Sequence, residues 1–266
     1  MNEHVLVERG ISYRTNAWVP GRKTLVFMHG LVGSSSAWIP FEQHFTESYN
    51  ILTFDLRGHG LSLKPQDSES YAIKNFVDDL HALVSQLGAT KFTLISHSFG
   101  TLIALEFLAI HAEMVESLVF LSPAFSLNKI GKTRVMKLVY NVLGGLTRIL
   151  PFWSNVHGRT DYTKYIKTGD WNIGRTIADL WNTSLHVYFY CMKHVYAVEQ
   201  EALLEQITTP TLLIHGRKDG MFPVENSLIM AKRIKNSKLL ILEEADHIIV
   251  LNNEKEITEA MDTFLK

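Results

Sequence analysis

A serine, a histidine and an acid stand in this 266-residue chain at positions where they could combine into an acyl-transfer centre. Ser98 lies in Ser96-His97-Ser98-Phe99-Gly100, directly after the apolar run Phe92 to Ile95 and before the helical run Thr101 to Ile110. A strand that turns straight into a helix can lift one side chain above a sheet only when small residues sit two positions to either side. Ser98 meets that rule through Ser96 and Gly100, although the first small residue in such turns is usually glycine. A nucleophile at Ser96 would instead place bulky Leu94 at the corresponding position.

A serine hydroxyl becomes a useful nucleophile once a base takes its proton, and that base needs an anion to fix its tautomer. Thr211 to Ile214 leads into His215-Gly216-Arg217-Lys218-Asp219-Gly220, which places a carboxylate after a buried strand. Leu239 to Leu242 leads into Glu243-Glu244-Ala245-Asp246-His247, which places an imidazole after the next one. Catalytic groups gather at the carboxyl ends of strands in open α/β sheets, so three strand ends converge on one place. Asp219 is favoured over Asp246 as the acid, because adjacent side chains on an extended loop point apart. Glu243 and Glu244 belong to the strand end. The developing oxyanion also needs donors. The backbone N–H of Phe99 starts the helix after the nucleophile, and that of Leu31 follows the strand ending in His29-Gly30. His29 is read as pinning its loop by hydrogen bonding, and Asp55-Leu56-Arg57-Gly58-His59-Gly60-Leu61-Ser62 as a structural loop whose glycines permit tight turns.

The elements needed to hold these loops are visible. His4 to Glu8 and Ile11 to Ala17 flank Arg9-Gly10 as a hairpin. Apolar runs at Thr24 to Met28, Asn50 to Phe54, Phe92 to Ile95, Ser117 to Leu121, Thr211 to Ile214 and Leu239 to Leu242 look like doubly covered strands. Helical spacing separates most of them, as in Ile73, Phe76, Val77, Leu80, Leu83, Val84 and Leu87, closed by Gly88. Alternation of this kind predicts a mostly parallel central sheet flanked by helices. The rhythm breaks between about Pro123 and Thr209. Residues 1–123 and 207–266 therefore read as the core, and 124–206 as an inserted helical lid.

Composition narrows the classes. With 46% hydrophobic and 20% charged residues the chain can bury one sizeable core. A net charge of −1 gives no reason to expect nucleic acid as a partner. No apolar run approaches the roughly 20 residues of a membrane span, the amino end lacks the features of a secretory signal, and the single cysteine, Cys191, reads as a small core residue. These features predict a cytoplasmic protein. The charge is uneven, however: Phe125 to Val198 holds ten Lys or Arg against three Asp.

Taken together, H-G, D-x-R-G-H-G-x-S, S-H-S-F-G, G-R-K-D and D-H resemble the α/β-hydrolase superfamily in order and spacing. The resemblance implies an α/β-hydrolase fold with a helical cap, and hydrolysis through a covalent acyl-enzyme without metal or organic cofactor. Ser98, His247 and Asp219 would be nucleophile, base and acid, cleaving a small-molecule carboxylic ester, thioester or lactone. The similar haloalkane dehalogenases and epoxide hydrolases use an aspartate at the nucleophile position. Carbon–carbon bond hydrolases, in many of which a tryptophan closely follows the histidine, and cofactor-free perhydrolases share the triad, as do receptors that keep the pocket and lose most turnover. In the lid, Phe152, Trp153, Trp171, Trp181, Tyr188 and Phe189 could line an apolar acyl pocket or form the lid's own small core. Its basic character is either a solvated face or an attractor of an anionic or carrier-linked substrate. The run from Val135 to Leu150 could pack on the core or dock on a membrane surface.

Overall fold

The computed structural model describes residues 1–126, 133–146 and 158–266. Its sheet has eight strands: β1 (Asn2–Leu6), β2 (Ile11–Thr15), β3 (Thr24–Met28), β4 (Asn50–Phe54), β5 (Phe92–His97), β6 (Val115–Leu121), β7 (Thr211–Gly216) and β8 (Ser237–Leu242). They are ordered β1-β2-β4-β3-β5-β6-β7-β8. From β4 onward every pairing is parallel, while β2 runs antiparallel to both β1 and β4.

Side chains alternate faces along each strand, and this divides the core into two layers. Val26, Met28, Leu52, Phe54, Leu94, Leu118, Phe120 and Leu213 pack on one side of the sheet with the apolar faces of α2 (Ile73–Gln86) and α3 (Phe99–His111). Leu25, Phe27, Ile51, Ile95, Val119, Leu121, Leu212 and Ile214 pack on the other. There they meet α1 (Ile39–Phe45) and the carboxyl-terminal helix, for which Phe41, Phe45, Ile257 and Met261 supply the contacts. Both faces are covered, which explains why the strand sequences are continuous apolar runs rather than alternating ones.

The amino-terminal hairpin differs from the sequence reading. Its first strand spans Asn2–Leu6 rather than starting at His4, and Val7 to Gly10 form the turn through Arg9 N–H to Leu6 O and Gly10 N–H to Val7 O. Pairing Leu6 with Ile11 buries both, and this fixes the register.

Between β6 and β7 lie α4 (Thr133–Leu146), α5 (Ile173–Thr183) and α6 (Leu185–Val195). An isolated antiparallel bridge between Ser126 and Glu199 closes the base of this insertion. α6 is its inner helix, with Val187 and Cys191 fully buried against the core. Gly58, at φ +82°, leaves it room, because a Cβ there would lie 2.6 Å from Val187 Cγ1. After β7 come α7 (Glu225–Arg233), α8 (Ile249–Asn252) and α9 (Glu254–Phe264).

Candidate active site

Ser98 occupies the turn between β5 and α3 with φ 52° and ψ −114°, a conformation costly for a residue with a Cβ. The turn is tight because the first turn of α3 is pressed against the end of β3. A Cβ on Gly100 would sit 3.0 Å from both the Met28 and His29 carbonyl oxygens, and one on Gly30 would sit 3.3 Å from Ser98 Cβ. At position 96 the serine fits, buried beneath the turn.

His247 Nε2 is 2.9 Å from Ser98 Oγ, and Asp219 Oδ2 is 2.7 Å from His247 Nδ1. The structure thus brings together the three side chains chosen by sequence position. Asp246 does not reach the imidazole; its Oδ1 accepts the Ile248 N–H. Burial would raise the Asp219 carboxyl, but hydrogen bonds from His215 and His247, the charge of His247 and the Phe222 N–H together hold it well below the usual carboxylate range. The carboxyl therefore stays ionised, as a group that orients an Nδ1–H would have to be.

His29 pins its loop: Nδ1 lies 2.8 Å from Gly30 O, and Nε2 accepts the Leu56 N–H at 3.0 Å. The Asp55 to Ser62 loop is structural in the same sense. Asp55, fully buried, accepts from Ser35 N–H at 2.7 Å and Leu61 N–H at 2.9 Å. It also pairs with Arg159 of the insertion at 2.8 Å. His97, behind the turn, contacts the His247 carbonyl at 3.0 Å; desolvation and the neighbouring His247 push its imidazole down to about 3, so it stays neutral.

Three contributors were not read from the sequence. His215, fully buried at the end of β7, places Nε2 3.0 Å from Asp219 Oδ2 and holds Ser227 Oγ at 2.7 Å through Nδ1, so the acid lies between two imidazoles. Gly216 lets the acid loop pass beneath the histidine loop, since a Cβ there would lie 2.4 Å from the Ala245 and Asp246 carbonyl oxygens. Asp170, from the insertion, accepts the Gly220 N–H at 2.8 Å on Oδ2 and the His247 N–H at 2.8 Å on Oδ1. One buried carboxylate therefore ties the acid loop to the base loop, and Arg175 Nη2 in turn donates to its backbone carbonyl at 2.7 Å.

The aromatic side chains expected in the lid separate. Phe152 and Trp153 lie outside the described residues. Trp171 and Trp181 are 74% and 59% exposed. Tyr188 and Phe189 are half-buried around Tyr140, with ring centroids 6.3 Å from it in both cases.

A mostly parallel eight-stranded sheet with a strained serine after its fifth strand, an acid after the seventh and a histidine after the eighth has the layout of an α/β hydrolase. The sequence matches the family described as alpha/beta hydrolase fold over residues 23–254, and the chain belongs to that family. Among curated relatives it is 25% identical over 249 residues to Protein ABHD8 of Mus musculus, covering 91% of this chain and 54% of that one. It is 23% identical over 264 residues to Epoxide hydrolase 4 of the same species, covering 92% and 74%. The chain thus spans about half the length of ABHD8. Among solved structures, the enol-lactonase from Burkholderia xenovorans LB400 superimposes with a TM-score of 0.75 at 20% identity over 99% of both chains, a likeness of fold.

Proposed function

We propose that the chain is a serine hydrolase acting on a carboxylic ester, thioester or lactone. One observation carries this reading: the unbroken path from Ser98 Oγ through His247 to an ionised Asp219, with contacts of 2.9 and 2.7 Å. Ser98 Oγ attacks the acyl carbon while His247 Nε2 takes its proton, and Asp219 holds Nδ1–H and balances the imidazolium. The carbonyl oxygen becomes an oxyanion received by the N–H groups of Leu31 and Phe99. His247 then returns the proton to the departing alcohol, thiol or ring oxygen, leaving an acyl-serine. Water, deprotonated by the same imidazole, adds to it; the acid is released and Ser98 regains its proton. The described part of the 124–206 insertion would serve as the lid over this centre, with Tyr188 and Phe189, packed around Tyr140, as candidate acyl-pocket walls.

Although one relative is named an epoxide hydrolase, the aspartate that such enzymes carry at the turn is a serine here, and a serine ester intermediate suits acyl substrates. Fluorophosphonate labelling combined with p-nitrophenyl esters of increasing acyl length tests the reading. Labelling and turnover are expected, and both should disappear in Ser98→Ala, with a loss on the order of 10⁶-fold. Undiminished hydrolysis by a purified Ser98→Ala protein would overturn it.

A further inference from the structure

Helix α5 of the insertion turns polar groups inward and apolar groups outward. On α5, Arg175, Asp179 and Thr183 follow one another at helical spacing and are buried, whereas Ile173, Ile177 and Trp181, on the other side, are 75%, 60% and 59% exposed. On α4, Val135, Leu138, Val139, Val142 and Leu146 are exposed, from 39% for Val139 to 65% for Leu138. Their spacing of three, four, seven and eleven residues from the first gathers them into one stripe ~100° wide. Tyr140 points the other way, stacked on Tyr196 with centroids 5.1 Å apart. Eleven of the 21 large hydrophobics exposed among the described residues belong to this insertion, which supplies only about a quarter of those residues. Scattered exposed side chains need no explanation, but apolar stripes on two helices of one insertion do.

The charge around α4 says what covers the stripe. Residues 127–158 contain Lys129, Lys132, Arg134, Lys137 and Arg148 and no acidic residue. Arg134 and Lys137 lie within α4, Lys132 directly precedes it and Arg148 follows its last residue by two. A second copy of the chain would bring like charges together across an apolar contact. An anionic surface would not, and a helix with an apolar stripe in a basic segment has the composition of one that lies in a lipid headgroup layer.

We propose that the α4 face of the insertion docks on an anionic lipid bilayer surface, without crossing it. Among the described residues no helix is long and apolar enough to span a membrane, so attachment would be peripheral. The inference concerns attachment alone and does not depend on Ser98 being a nucleophile. The test is flotation of the full chain with vesicles of phosphatidylcholine, pure or mixed with phosphatidylglycerol. Binding to the mixed vesicles and not to the pure ones is expected, declining as salt rises. Leu138→Glu with Val142→Glu should abolish it, and because both positions are exposed, the circular dichroism melt should stay at the parental temperature. Reversing Lys129, Lys132, Arg134 and Lys137 to Glu should weaken binding by at least about 100-fold, since each cation near such a surface contributes about fivefold. No binding to mixed vesicles, equal binding to both kinds, or binding unaffected by both sets of substitutions would each overturn the proposal. A concentration-dependent dimer in light scattering, lost in the Leu138→Glu, Val142→Glu protein and unaccompanied by vesicle binding, would assign the face to a second copy instead.

Discussion

The core and the insertion differ in how they use buried polar groups. In the core, strands such as Thr24–Met28 bury apolar side chains on both faces, and Ser98, Asp219 and His247 meet beyond the strand ends. The insertion adds polar attachments to the apolar contact made by α6: Arg159 to Asp55, Thr183 Oγ1 to the Val32 carbonyl at 3.1 Å, and Asp170 to the loops that carry Asp219 and His247. Hydrophobic contact is tolerant of sliding, but charge-assisted hydrogen bonds fix direction and distance. The sheet therefore gives the site its existence, and the polar underside of the insertion gives it its alignment.

The first way to test this contrast is at the strand ends. Asp219→Asn should keep the fold and lose about 10⁴-fold in kcat, because an amide in place of the carboxylate favours the wrong tautomer of His247. Measured beside His247→Ala, which should lose on the order of 10⁶-fold, it separates orientation from proton transfer. A near-parental kcat in Asp219→Asn would show that Asp219 does not orient the base.

The attachments should register in stability. Arg159→Ala leaves the fully buried Asp55 with its two backbone donors and no cation. Removing one partner of a buried ion pair costs about 3–5 kcal/mol, and the surviving N–H bonds place this case at the lower end. Urea denaturation should show it as a lower midpoint with unchanged slope. A loss below about 1 kcal/mol would mean that the Arg159–Asp55 pair does not hold the insertion in place.

Asp179 sharpens the same point through pH. Burial raises its carboxyl to about 6 against the opposing hydrogen bonds of Thr160 and Tyr162 and the charge of Arg175. A folded-state value above the unfolded one means that the folded chain holds the proton more tightly. The stabilisation is complete below pH 4 and is lost as pH rises through about 6. Asp179→Asn keeps the neutral form at every pH, so its stability relative to the parent should increase across that window, by at most about 3 kcal/mol. Parallel stability curves from pH 4 to 7 would show that Asp179 titrates in its ordinary range.

The two regions also differ in how much of them could be read from sequence. The strands from Thr24 to Phe54 match their apolar runs to the residue, and the triad followed because each member lies just past a run that only a buried strand would carry. Asp170 offered no comparable signal. It lies 50 residues from Gly220 and 77 from His247, in a stretch without strand rhythm, and its contacts exist only once the insertion has docked. Helix α5 is amphipathic in its sequence. Which side faces inward was not legible there, because the usual assumption that the apolar side faces inward is reversed where a helix must hydrogen-bond to loops beneath it.

Asp170 is where the two regions meet, and its effect should be the smallest and most diagnostic. Its carboxylate accepts one N–H from the acid loop and one from the base loop, so it fixes the separation of Asp219 and His247 without touching the reacting atoms. Asp170→Asn retains one carbonyl acceptor and turns the other oxygen into a donor facing an N–H. One loop is then left without its partner, and a misalignment of this kind should lower kcat by about 10–100-fold with little change in KM. Asp170→Glu keeps the charge but moves it by a methylene, and should recover less than the parent and more than Asn. A residue that merely held the insertion in place would lower stability and leave kcat where it was.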